Sequence, residues 1–116
     1  MSSQSNITVL YPTPQDGNSD FNIEYYIGKH MELVEKAWQA VGIQAWQVIK
    51  FTGVLDGSPA PYCVAAIVTF DSLDGARKAI AAEQSVEVIG DVPNFTNLKP
   101  LLMLGEIPGS WARHGE

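Results

Sequence analysis

His30 is the residue of this chain best equipped for chemistry. It sits on the flank of an apolar helical stripe, and a half-buried imidazole titrates near neutral pH, where it serves as acid, base or hydrogen-bond donor. Tyr26 stands one helical turn before it, within side-chain reach, placed to orient the ring or to donate a proton itself. Asp91 lies in a loop with Gly90, Pro93 and Asn94. A carboxylate beside an imidazole fixes its tautomer and raises its pKa, so Asp91 is the candidate partner. Asn94 and Thr96, in the same loop, are candidates to polarise a substrate carbonyl as oxyanion-stabilising donors do. Tyr11, Trp46, Phe51 and Phe95 are candidate walls of an apolar pocket. Each has a plainer alternative: a histidine bonded to a backbone carbonyl or a tyrosine, aromatic rings as core, and Asp91 and Asn94 satisfying loop backbone through Asx-type bonds.

The elements that must position these groups follow from periodicity. Ile23, Ile27, Met31, Val34, Trp38 and Val41 recur every three or four residues, the spacing of an amphipathic helix on a core. Lys29, Glu32, Lys36 and Gln39 fall opposite. The spacing predicts one helix over Phe21–Val41, capped by Asp20 or Asn22 and stopped by Gly42. Ile7–Tyr11, Gln44–Thr52, Tyr62–Phe70 and a segment beginning after Pro100 and ending by Ile107 read as strands. Asp71 is the expected cap of a second helix through Glu83, with Asp74 as a capping-box acid. Val86–Ile89 reads as a short helical turn, and Thr13–Asp20 and Gly90–Asn97 as loops. The order βαββαβ predicts an α+β, ferredoxin-like domain: a four-stranded antiparallel sheet with both helices on one face. The whole chain, residues 1–116, reads as one such domain, with a core of about 7–107 and a tail at 108–116.

The 116 residues suit one core. A net charge of −6 with seven scattered Lys and Arg argues against nucleic acid and against an anionic membrane surface. No stretch reads as a signal peptide or a membrane span, so the cytoplasm is the expected location. The one cysteine, Cys63, excludes an intrachain disulfide and a multi-thiolate site. No His and carboxylate cluster has metal-ligand spacing, and no Gly-rich phosphate cradle or Ser-His-Asp spacing is present. Neither metal nor cofactor is expected. Tyr62, Val64, Ala66, Val68 and Phe70 alternate with Cys63, Ala65, Ile67 and Thr69, so both faces of that strand are largely apolar. Leu102 and Leu104 alternate likewise with Leu101, Met103 and Ile107. An uncovered apolar sheet face marks an interaction surface. A second copy, related by a two-fold axis, is the expected cover, with a tail carrying Trp111 folded over the face as the alternative.

The segment YYIGKHMELV (Tyr25–Val34) resembles the Tyr-Tyr-x-x-x-His-Met/x-x-Leu-Val signature of the EthD family. GDVPNFTN (Gly90–Asn97) is similar to that family's Asp-Ile/Val-Pro-Asn-Phe/Tyr-Thr segment, and Leu10-Tyr11-Pro12 and Phe70-Asp71-Ser72 also fit. Glu32 and Asn22 depart from it, standing where proline and aspartate are common. The tail, with Trp111 and His114, lies outside the pattern. The resemblance implies a dimeric α+β barrel, two ferredoxin-like sheets closed on each other, and little about chemistry. With His30 as acid or base, the residues suit a cofactor-independent dehydratase, cyclase, isomerase or monooxygenase-like enzyme acting on a small apolar, oxygenated or aromatic compound. A non-catalytic ligand-binding protein, or an accessory to a degradative oxygenase system, is the alternative. Haem ligation by His30 is a third reading.

Overall fold

The computed structural model describes residues 4–16 and 20–113. Residues 17–19 of the expected Thr13–Asp20 turn, and His114 with the end of the tail, lie outside the described residues. Four strands, β1 (Ser5–Pro12), β2 (Ile43–Lys50), β3 (Tyr62–Phe70) and β4 (Leu101–Glu106), form one antiparallel sheet in the order β2-β3-β1-β4. This is the ferredoxin-like arrangement that the element order predicts.

One sheet face carries the helices. Ile7, Tyr11, Val64, Ala66, Val68 and Phe70 are buried there against Met31, Val34, Trp38, Ala76 and Ala79. The other face carries Leu10, Cys63, Ile67, Leu101 and Met103, as the register fixes: Thr8 pairs with both Ile67 and Met103, and Leu10 with both Ala65 and Leu101. Leu101 and Met103 are each 47% exposed. Trp111 is exposed as well, so the tail does not fold over this face.

The first helix is not the regular one that its periodicity predicts. It runs as α1 (Ile23–Tyr25), a π-helical turn (Tyr26–His30), α2 (Met31–Trp38) and a 3₁₀ turn (Gln39–Val41). Asn22, not Asp20, caps it, accepting from the Tyr25 N–H. Asp20 instead accepts from Thr96 and from the Asn97 N–H. In the π turn the Met31 N–H reaches the Tyr26 carbonyl, one residue further back than in an α-helix. Tyr26 thereby takes the inward place that Ile27 has in a regular helix. Tyr26 is buried, and Ile27 is 47% exposed. Gly42 ends the helix at φ +95°, a conformation that favours glycine.

The second helix also differs. Ser72 rather than Asp71 is the cap of α3 (Leu73–Ala79): its backbone is extended and its hydroxyl accepts from the Gly75 N–H. The Asp71 N–H is spent on the Gly42 carbonyl, and Asp74 pairs with Lys78. The helix stops at Ala79 and restarts as α4 (Ala82–Gly90), because Ala81 is extended and the Ser85 hydroxyl donates to the Ala79 carbonyl at 2.6 Å. The redirected α4 packs on α2 and ends in a 3₁₀ turn (Val92–Asn94) that carries the loop residues of interest.

Candidate functional site

The π turn and the end of α4 bring together residues more than sixty positions apart. His30 is 3% exposed, a member of the buried stripe rather than of its flank. Its Nδ1 lies 2.9 Å from Asp91 Oδ2. The other carboxylate oxygen of Asp91 accepts from the Tyr25 hydroxyl at 2.8 Å and from Asn94 Nδ2 at 2.9 Å. Tyr26 stacks on the imidazole, with ring centroids 5.2 Å apart and planes within 13°. Phe95 closes the other side at 4.7 Å. Asp91 terminates α4 with its own N–H on the Glu87 and Ile89 carbonyls, so the carboxylate is fixed by backbone as well as by its three donors.

The electrostatics follow from these contacts. Burial drives His30 below its ordinary value of 6.5, and outweighs Asp91, which pulls the other way. The sequence-based expectation of a raised imidazole pKa is therefore corrected: desolvation is the larger effect. Burial pushes Asp91 up, but the hydrogen bonds from Asn94, His30 and Tyr25 prevail and hold it below 3.8. At neutral pH the pair is thus carboxylate and neutral imidazole. Because Asp91 accepts, His30 carries its proton on Nδ1 and presents a lone pair at Nε2. Among the described residues no hydrogen bond to Nε2 is made, and no fully enclosed side-chain nitrogen or oxygen is left unpaired, so Nε2 is open to the space beside it.

That space is an apolar cavity of about 30 Å³ between sheet and helices. His30, Tyr11, Tyr26, Met31, Val34 and Trp38 are among its walls, together with Ile89, Pro100 and Leu102. As it stands it holds a water or two. The rings of Tyr11 and Tyr26 meet edge to face, with centroids 5.7 Å apart. Burial pushes Tyr26 up to about 12 and Tyr11 higher still, so both are protonated at neutral pH.

The structure sorts the sequence-based candidates. His30, Tyr26, Asp91, Tyr11 and Phe95 converge. Trp46 does not: it faces a surface depression and donates to Glu35 at 2.8 Å. Phe51 lies with Val54, Pro61 and Tyr62 beside the β2–β3 connection, half exposed. Asn94 spends its amide on Asp91. Thr96 donates to Asp20 and accepts from the Leu98 N–H, so its hydroxyl ties the loop together instead of facing a substrate. Tyr25 is the residue that sequence reasoning missed. Only the doubled tyrosine of YYIGKH signalled it.

Acid should weaken the fold in two windows. For His30 the unfolded chain binds the proton more readily than the native one, so its contribution is full above 6.5 and is lost as pH falls from there through the depressed native value. For Asp91 the loss comes as pH falls from 3.8 through its lower native value. Denaturant midpoints measured from neutral pH downward check this. The first decline is expected in the wild type and not in His30→Gln, and equal profiles for the two would remove the buried neutral imidazole.

No protein-family model and no curated protein matches the chain. Solved structures do. An EthD-like protein from Ralstonia eutropha JMP134 superposes with a TM-score of 0.79 at 22% identity, over 97% of this chain and 98% of that one. An ethyl tert-butyl ether D (EthD) family protein from Bacillus halodurans C-125 gives 0.67 at 19% identity, over 90% and 98%. A dimeric ferredoxin-like protein from an uncultured marine organism gives 0.57 at 14%, over 97% and 94%. The fold is therefore EthD-like, an α+β ferredoxin-like architecture over nearly the full chain.

Proposed function

We propose that this chain is a small-molecule metabolic protein of EthD type, in which His30 acts as a general base, or after protonation as an acid, on an apolar oxygenated or aromatic compound. The observation that carries the reading is the 2.9 Å pair between His30 Nδ1 and Asp91 Oδ2 at the wall of an apolar cavity. A fixed tautomer, a free Nε2 lone pair and a neutral ring at neutral pH are the requirements of a base. The chemistry such a site supports without a cofactor is proton transfer: dehydration, cyclisation or isomerisation, or oxygenation of a substrate that itself activates oxygen once deprotonated. Two copies pair through the open sheet face, a reading that its exposed Leu101 and Met103 support. The marine relative, described as dimeric, supports the pairing. Among the described residues no helix is long and apolar enough to cross a membrane. We place the protein in the cytoplasm, where the lone Cys63 stays a thiol.

Native mass spectrometry of untreated protein, followed by incubation with the captured compound and its analogues, tests the proposal. A bound apolar, oxygenated molecule that is converted supports it. A molecule that is held and released unchanged makes the protein a carrier, and the base assignment falls.

A further inference from the structure

The balance of donors and acceptors in the cavity specifies what kind of molecule enters it. None of the described residues lining it is Asp, Glu, Lys or Arg. An anionic group would be desolvated there without a countercharge, which is costly. Two of its polar atoms can only accept. His30 Nε2 accepts, since Nδ1 is committed to Asp91. Ser85 has given its proton to the Ala79 carbonyl at 2.6 Å, so its oxygen can only accept. Tyr11 and Tyr26 line the same cavity, and a protonated phenol there can donate. A guest that brings only acceptors, such as an ether or a ketone, leaves Nε2 unpaired in a desolvated site. A hydroxyl satisfies both sides from one atom, donating to Nε2 and accepting from a tyrosine.

Size points the same way. The cavity, about 30 Å³, admits a group no larger than a water or two. Ile89, 49% exposed, and Leu102, 36% exposed, are walls of it that reach the surface and offer apolar contact to a body that remains outside.

We infer that the site takes an uncharged molecule with an apolar body and a single leading hydroxyl, an alcohol or a phenol, and rejects the matching ether and carboxylate. The inference rests on the proposed role of His30 as the free acceptor, and goes beyond it by naming the group that meets it. No covalent step is part of it.

The test uses three probes of one shape on the intact wild-type protein: 4-methylphenol, 4-methylanisole and 4-methylbenzoate, titrated at neutral pH and followed by amide shifts of residues around His30 and Ser85. The phenol is expected to bind about ten-fold more tightly than the anisole, the value of one hydrogen bond, and the benzoate is expected not to saturate. In His30→Leu the preference for phenol over anisole should vanish. Anisole or benzoate binding as well as phenol, or no phenol binding at all, overturns the inference. The wild-type series decides even where the variant fails to fold. Phenol that binds and is not transformed leaves this inference standing and counts against catalysis, so the two can fail separately.

Discussion

Met103→Glu is expected to leave the protein as single subunits at concentrations where, by the proposed pairing, the wild type sediments as a dimer. Met103 is on the helix-free face, paired with Thr8 of the central strand β1, and is 47% exposed in the lone subunit. Around a two-fold axis the substitution enters twice. Each carboxylate must be desolvated or must push the sheets apart, and an uncompensated buried charge costs about 3–5 kcal/mol. Even one such cost raises the dissociation constant by two to three powers of ten at about 1.4 kcal/mol per decade. The net charge of −6 on each chain adds repulsion of the same sign. The residue faces away from the core, so the subunit should keep its fold. Sedimentation velocity with circular dichroism separates the outcomes. A folded Met103→Glu that still pairs as tightly as wild type, or a wild type that is itself single, would place the dimer interface elsewhere or abolish it.

Asp91→Asn should silence the site as completely as His30→Ala, although it keeps shape and volume. The reason lies on the far side of the carboxylate. Oδ1 receives two donors, Tyr25 Oη at 2.8 Å and Asn94 Nδ2 at 2.9 Å. An amide at position 91 therefore keeps its oxygen there and turns its NH₂ toward His30. The imidazole must then accept at Nδ1 and carry its proton on Nε2, the atom facing the cavity. A base that presents a proton where a lone pair is needed loses the contribution of acid–base catalysis, about 100- to 10,000-fold. Nitrogen-15 shifts of the ring report the tautomer independently of any substrate. Nδ1–H in the wild type and Nε2–H in Asp91→Asn are expected at neutral pH. The same tautomer in both would break the argument, whatever the activity. Tyr25→Phe, which frees one of the two donors, should soften the inversion, and this makes Tyr25 a positioning residue.

Much of the fold was legible because its determinants are local. Alternation in Tyr62–Phe70 and the three-to-four spacing of Met31, Val34 and Trp38 follow from the pitch of strand and helix, and the observed elements agree to within a few residues. The misreadings share a physical origin. A capping preference cannot tell Asp71 from Ser72, since tertiary contacts decide: the Asp71 backbone is already bound to Gly42. Counting by 3.6 put His30 on the flank and Ile27 inside, because periodicity assumes a constant pitch. Of the site, the pairing of His30 with Asp91 was within reach as a chemical guess, but Tyr25 and Asp91 are 66 positions apart and no spacing rule joins them. Trp46 and Phe51 qualify as pocket walls only by being aromatic and partly apolar, which says nothing about which side of a sheet they occupy.

The π turn at Tyr26–His30 has a wider implication. Tyr26 and His30 are its first and last residues, and their ring planes lie within 13° of each other. The turn works like a vernier between two rigid scales: Tyr25 ends the stretch before it and Met31 begins the stretch after it. A sister protein could spell every one of these residues identically and, with ordinary winding, have its phenols swung aside. Kinship of function among chains of this shape is thus a matter of pitch as much as of spelling, and alignments that score letters alone will group together proteins whose chemistry has parted.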